Sequence, residues 1–309
     1  MLFGEHAVLF GQPCIVTAVG QRMQATVTLI DEPMFELEAP DVKVTGYSKK
    51  ISEIGTGEIP KGAKFVEQAV KNFIAKFGNL KGGIRIATKS EFSSEFGFGS
   101  SSASTVCVIG ALLQLTKGMI DPRAVFDLAY KTVLDIQGKG SGYDIASAVF
   151  GGTLLYQAGG KVIEPIDVKE IPLIIGYSGI KYETVKVIDE VKRRHDRHPE
   201  MIDGVYRSIG ALIPAALQAL KQPDWVRLGE LMDMNQGFLE VLGVSNLKLS
   251  SMIHAAREAG ALGAKISGSG KGDCMIGVGV RVGVREAIER TGGKVIDVSC
   301  NVEGLRIEA

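Results

Sequence analysis

Phe96-Gly97-Phe98-Gly99-Ser100-Ser101-Ser102-Ala103 places two glycines and three hydroxyls at the entry to a run, Ala103–Leu115, whose small and apolar residues suit a helix buried on several sides. Free backbone N–H groups and the helix dipole make such an entry an anion site. The loop has neither the lysine of a Walker loop nor the three-glycine dinucleotide spacing. Taken alone it also fits a capped helix after a flexible loop. Ile84–Thr88 upstream reads as a strand, so strand, glycine loop and helix follow in order.

Working outward, residues 7–38 alternate short apolar runs with polar breaks, and Ala7–Phe10, Cys14–Val16, Gln24–Ile30 and Met34–Leu37 read as strands. Gly, Ser and Lys accumulate between Asp41 and Pro60, which reads as a mobile loop, before a helix over Lys64–Phe77. Asp121-Pro122 supplies a cap and a first-turn proline for a helix to about Gln137, which Gly138–Gly142 stops. Beyond an apolar hairpin-like stretch to Tyr156, a strand at Leu173–Tyr177 precedes three or four helices between Lys186 and Gly260. Short strands at Ala264–Ser267, Cys274–Val278, Val295–Ser299 and Leu305–Glu308 then surround a helix at Val284–Glu289. The pattern is α+β, with domains expected over 1–165 and 166–309.

Among 309 residues, Lys plus Arg equals Asp plus Glu at 35 each, so no long-range field draws the chain to nucleic acid or an anionic membrane. A small-molecule partner is expected. Cys14, Cys107, Cys274 and Cys300 form no CxxC pair, which suggests reduced thiols in the cytoplasm. Neither an apolar run long enough to span a membrane nor an export signal stands out. Trp225, Leu228, Leu231 and Leu239 share a helix face that packs in the core or against a partner, so a homodimer stays open.

Two more glycine-rich segments accompany the first loop: Gly138-Lys139-Gly140-Ser141-Gly142-Tyr143-Asp144 and Lys265-Ile266-Ser267-Gly268-Ser269-Gly270-Lys271-Gly272. With Leu2-Phe3-Gly4-Glu5-His6-Ala7-Val8 at the start, the chain resembles the GHMP kinases, whose three ordered motifs are all present. Arg227–Met232, Asn235-Gln236-Gly237, Leu242–Ser245 and Ala255–Lys265 extend the resemblance along the whole chain, nearest to mevalonate kinases of archaeal type. The resemblance implies a GHMP kinase fold, with an N-terminal domain like ribosomal protein S5 and a ferredoxin-like C-terminal domain. It also implies ATP and Mg²⁺ as cofactors, and transfer of the γ-phosphate to a hydroxyl of mevalonate in isoprenoid precursor synthesis.

An alcohol needs positioning, charge cancellation on the phosphate and a proton acceptor. By resemblance the acceptor is Asp144, which also fits a plain helix cap. On the same resemblance Gly97, Gly99, Ser100 and Ser102 are expected to hold phosphates and Ser101 also Mg²⁺, although Ser102 equally fits a helix cap. Glu5, His6, Thr184, Gly268, Ser269 and Gly270 are expected by resemblance to meet the substrate, although His6 equally fits a satisfied histidine in a turn.

Departures from the family pattern are also visible. The family's activating lysine falls upstream of Met1, implying an earlier start or another route to charge balance. Val133 stands where mevalonate kinases carry a metal-binding glutamate, leaving Ser101, water and phosphates, or Asp135 if its helix is distorted. The second glycine segment and Gly272-Asp273-Cys274 look more like phosphomevalonate kinases. Lys139 and Lys271 suit an acceptor that already bears a phosphate, or are solvated loop lysines. Glu95, beside the phosphate loop, is expected to point away, to bind a cation or to mark altered specificity. The alternatives are therefore a kinase for a phosphorylated hydroxy acid and a non-catalytic metabolite-binding protein of the same fold.

Overall fold

The structure, a computed structural model, describes residues 1–78, 80–93, 96–279 and 282–308; Glu95, and with it the expectation about its direction, lies outside them. In chain order the strands are β1 (Cys14–Thr17), β2 (Met23–Ile30), β3 (Met34–Ala39), β4 (Val44–Lys50), β5 (Gly83–Ser90), β6 (Thr153–Gln157), β7 (Val162–Ile166), β8 (Leu173–Tyr177), β9 (Gly263–Ser267), β10 (Cys274–Val278) and β11 (Lys294–Ile296). The helices are α1 (Lys64–Phe77), α2 (Ser100–Lys117), α3 (Pro122–Gln137), α4 (Tyr143–Phe150), α5 (Thr184–Arg197), α6 (Pro199–Lys221), α7 (Trp225–Leu242), α8 (Leu247–Glu258) and α9 (Val284–Arg290). The architecture is α+β, as the alternation of patterns predicts.

Contacts group the chain into two units that are not consecutive in sequence: Met1–Gly20, Glu95–Gly97 and Gly151–Val302 form one, and Gln21–Ser94, Phe98–Phe150 and Glu303–Ala309 the other. The unit of Gln21–Ser94 has a sheet in the order β2-β5-β3-β4, with β5 antiparallel to β2 and parallel to β3. α2 packs on β2 and touches α1, α3 and α4. Burial of Val106, Val108, Ile109, Leu112 and Leu113 accounts for its apolar composition on several sides. α3 begins as cap chemistry dictates, with Asp121 accepting from the N–H groups of Arg123 and Ala124 and Pro122 in the first turn. Gly138, left-handed at φ 72°, ends it.

The unit of Gly151–Val302 has an antiparallel sheet in the order β11-β8-β10-β9, packed by α7, α8 and α9, and a second sheet in the order β1-β6-β7. Leu239, Leu242, Met252, Ile253, Ile266 and Met275 belong to its core, each such side chain contributing about 1.5–3 kcal/mol on burial. Leu228, Leu231 and Leu239 are buried within this unit and Trp225 is half-buried at the start of α7, so most of that face belongs to the core.

Three local expectations give way. Ala7–Phe10 is a 3-10 turn, because His6 at φ 59° and Gly11 at φ 82° close a single turn that buries Ala7 and Val8. The stretch after Asp41 carries β4 and two 3-10 turns. β4 is an edge strand with only Val44 buried, and it is anchored by polar bonds from Tyr47 and Lys49 to the enclosed Glu67 of α1. Leu305–Glu308 is not a strand; Leu305 donates its N–H to the Val149 carbonyl and packs over Gly110 of α2.

Candidate functional site

In the unit of Gln21–Ser94, Gly99 forms the N-cap of α2 in the left-handed region, φ 73° and ψ 36°, and no side chain among the described residues caps the helix. The first helical bond runs from Ala103 N–H to the Gly99 carbonyl, so the N–H groups of Ser100, Ser101 and Ser102 precede the ladder. These are the groups that hold an anion at a helix entry. The Ser101 carbonyl accepts from the hydroxyls of Ser104 and Thr105, and Ser102 is buried.

Asp144 lies in the first turn of α4, where the dipole favours a carboxylate. A Cβ on Gly99 would stand 3.3 Å from the Asp144 Cγ, so the carboxylate packs against the glycine that opens α2. The structure thus brings Asp144 together with Gly99, the residue that opens α2. Lys139 is half-buried, between Gly138 and Gly140. The Val133 side chain is buried beneath Gly140, 3.7 Å from where a Cβ there would stand. Asp135 does not replace the missing carboxylate. It accepts from Lys131 at 2.6 Å and Asn72 at 2.8 Å, tying α3 to α1. Partial burial raises its carboxyl, but these bonds prevail and hold it below the ordinary value.

In the unit of Gly151–Val302, Gly268–Lys271 forms a loop after β9. His6 bonds to the Ser269 carbonyl through Nε2 at 2.9 Å, and the Ser269 hydroxyl lies 3.4 Å from that of Thr184 at the start of α5. His6, Ser269 and Thr184 therefore come together. Glu5, expected at the substrate, is instead enclosed: one carboxylate oxygen pairs with the fully buried Lys265, and the other accepts from Asn235 at 2.9 Å. Lys271, expected as a cation for the substrate, pairs with Glu190, which also accepts from Tyr182 at 2.8 Å. The Lys271 and Tyr182 bonds hold the Glu190 carboxyl below its ordinary value.

Sequence reasoning missed Lys181 in this region. It donates to Asp273 at 3.0 Å, and a Cβ on Gly97 would meet the Asp273 carboxylate at 2.6–2.7 Å, so Gly97 packs directly against this ion pair. Burial pushes the Asp273 carboxyl up, and Lys181 opposes the shift in part. Five described residues other than glycine have positive φ, and three of them, His6, Lys271 and Asp273, cluster here. Sparsely populated backbone conformations of this kind cluster at active sites and ligand clamps. A groove of about 550 Å³ borders Lys271, lined also by Arg193, Arg194 and Arg197. Arg194 donates to the Val241 carbonyl in the last turn of α7, and Arg194 and Arg197 lie in the last turn of α5, so these two cations answer helix C-termini.

Two family models match, the GHMP kinase N-terminal domain over residues 64–152 and the GHMP kinase C-terminal domain over 216–291. A mevalonate kinase of Thermococcus sibiricus is 34% identical over all of this chain and 96% of its own, and one of Pyrococcus furiosus is 33% identical over the same shares. The crystal structure of Methanococcus jannaschii mevalonate kinase superposes with a TM-score of 0.82 at 23% identity, over 98% of this chain and 95% of that one. The Lin0012 protein from Listeria innocua gives 0.84 at 23%, over 97% and 94%. Fold, ordered motifs and full-length relatives agree, and the chain belongs to the GHMP kinases.

Proposed function

We propose that this chain transfers the γ-phosphate of ATP to a hydroxyl of mevalonate. The observation that carries this reading is Asp144 packed against Gly99 at the open start of α2, which pairs a proton acceptor with a set of phosphate-binding N–H groups. The acceptor oxygen attacks the γ-phosphorus as its proton passes to Asp144, the bond to the bridging oxygen breaks, and ADP leaves. The substrate follows from full-length relatives that are mevalonate kinases. His6, Thr184 and Ser269 meet the acceptor in this reading.

Mg²⁺ fits the donors present if ATP carries it. Ser101 would supply a hydroxyl beside the phosphates, whereas Val133 offers no ligand and Asp135 is engaged elsewhere. Among the described residues no group of three or more His, Cys, Asp or Glu is arranged to hold a metal. Mg²⁺ commonly binds through few protein ligands, completed by phosphates and water. Held there, it would neutralise phosphate charge.

The test is ADP release with ATP, Mg²⁺ and either mevalonate or its phosphorylated derivatives, with Asp144→Asn as the control. Turnover with mevalonate that the variant loses supports the reading. A phosphorylated acceptor used in preference transfers it to the second substrate class, for which Lys181 beside Gly97 is the supporting cation. Equal turnover by the Asn variant removes Asp144 from the mechanism.

A further inference from the structure

Lys265 and Glu5 form an enclosed ion pair, both side chains at most 1% exposed. Enclosure of this kind costs several kcal/mol per ion before the mutual attraction offsets it, and hydrophobic residues commonly do as well. The pair therefore calls for a reason beyond stability. Asn235 completes the Glu5 carboxylate at 2.9 Å, and Gln236, its neighbour on α7, accepts from the N–H of Ile266 at 2.9 Å. The pair thus ties the Gly4–His6 turn to the middle of β9, the strand that leads into Gly268–Gly270.

The next residue, His6, has φ 59°, an uncommon conformation for a side chain of this size. Its Nε2 meets a carbonyl, which only accepts, so the proton is on Nε2. Nδ1 makes no hydrogen bond among the described residues, which leaves its lone pair as an acceptor on a residue that is itself buried. Burial pulls the imidazole below its ordinary value, against smaller opposing effects of the Ser269 carbonyl and Glu5, which keeps the ring neutral.

We propose that Lys265 is a positioning residue: through Glu5 it fixes His6 as the Nε2–H tautomer bonded to Ser269, so that Nδ1 accepts a hydrogen bond from a hydroxyl of the acceptor. The last clause rests on the acceptor reading given above; the tautomer does not. A neutral ring with Nδ1 as its acceptor selects an alcohol over a carboxylate at that point.

The experiment uses the whole protein with Lys265→Met, Glu5→Gln combined with Lys265→Met, and Lys265→Arg. The double variant matters because the single one leaves a carboxylate enclosed without a counter-charge, whereas the double restores neutrality. ¹⁵N spectra of the imidazoles, with His6→Gln identifying the signal among the four histidines, read the tautomer without any substrate. The parent is expected to show protonated Nε2 and bare Nδ1, and the double variant a mixture of tautomers. In turnover, the double variant is expected to raise KM for the acceptor on the order of 10–100-fold while KM for ATP holds. A parent spectrum with protonated Nδ1, or a folded double variant with the parent's spectrum, overturns the positioning role. The expected spectra with an unmoved acceptor KM overturn the hydroxyl contact alone, and a parent inactive with every acceptor overturns the functional reading while the spectra still decide the positioning role.

Discussion

Asp144→Asn keeps the volume and the hydrogen-bonding edge of the side chain but removes the proton acceptor. Turnover is expected to fall by about 10²–10⁴-fold with the unfolding midpoint unchanged, a pattern that a merely structural carboxylate does not give. Gly99→Ala has the opposite character. The new Cβ falls 3.2 Å from the Asp144 Cβ at φ 73°, so backbone strain and carboxylate displacement act together. Both kcat and KM for ATP are expected to suffer, measured by initial rates. Asp273 offers a pH test. Its ordinary value is 3.8 and burial raises it in the folded chain. The folded state therefore holds the proton more tightly than the unfolded one, and ionisation costs stability as pH rises through that window. Asp273→Asn removes the cost. Its stability advantage over the parent, from urea unfolding at a series of pH values, is expected to be absent in acid and to grow toward neutrality; an advantage that shrinks with pH contradicts this.

At the scale of elements, the bonds from Asp135 join α3 to α1. Because its carboxyl lies below the ordinary value, the contribution is present at neutral pH and lost as pH falls. The side chain is 32% exposed, which limits the contribution to about 1 kcal/mol. Asp135→Asn is expected to lower stability by no more than that and to leave the Mg²⁺ dependence of turnover untouched; a changed metal dependence restores Asp135 as a ligand. The same elements show what sequence conveys. Glycine and serine spell out the open start of α2 directly, since positive φ and free N–H groups are local properties. β4 escaped because an edge strand needs no apolar alternation when Glu67 anchors its Tyr and Lys. Lys181, Glu190 and Lys265 escaped for a different reason: each acquires its meaning from a partner far along the chain. Lys271, plausible as a free cation, is neutralised by Glu190, which nothing in its own loop announces.

Over the whole molecule, the first twenty residues belong with Gly151–Val302 and the last few with Gln21–Ser94. A fragment of residues 166–309 therefore contains Lys265 without Glu5. It is expected to be unfolded or aggregated when made alone, by circular dichroism and size exclusion, and to be recovered by co-expression with residues 1–165. A folded, monomeric 166–309 shows that the interleaving is dispensable. None of the described helices is long and apolar enough to cross a membrane.

The separation of 260 residues between Glu5 and Lys265 also has a bearing on synthesis. A ribosome delivers the chain from its N-terminus, so the glutamate emerges long before the lysine that neutralises it, and parts of the chain fold as they appear. Until β9 leaves the exit tunnel, the Gly4–His6 turn has neither its counter-charge nor the Ser269 carbonyl. The histidine is set only when nearly all the chain has been translated, and a polypeptide interrupted earlier has no means of presenting it.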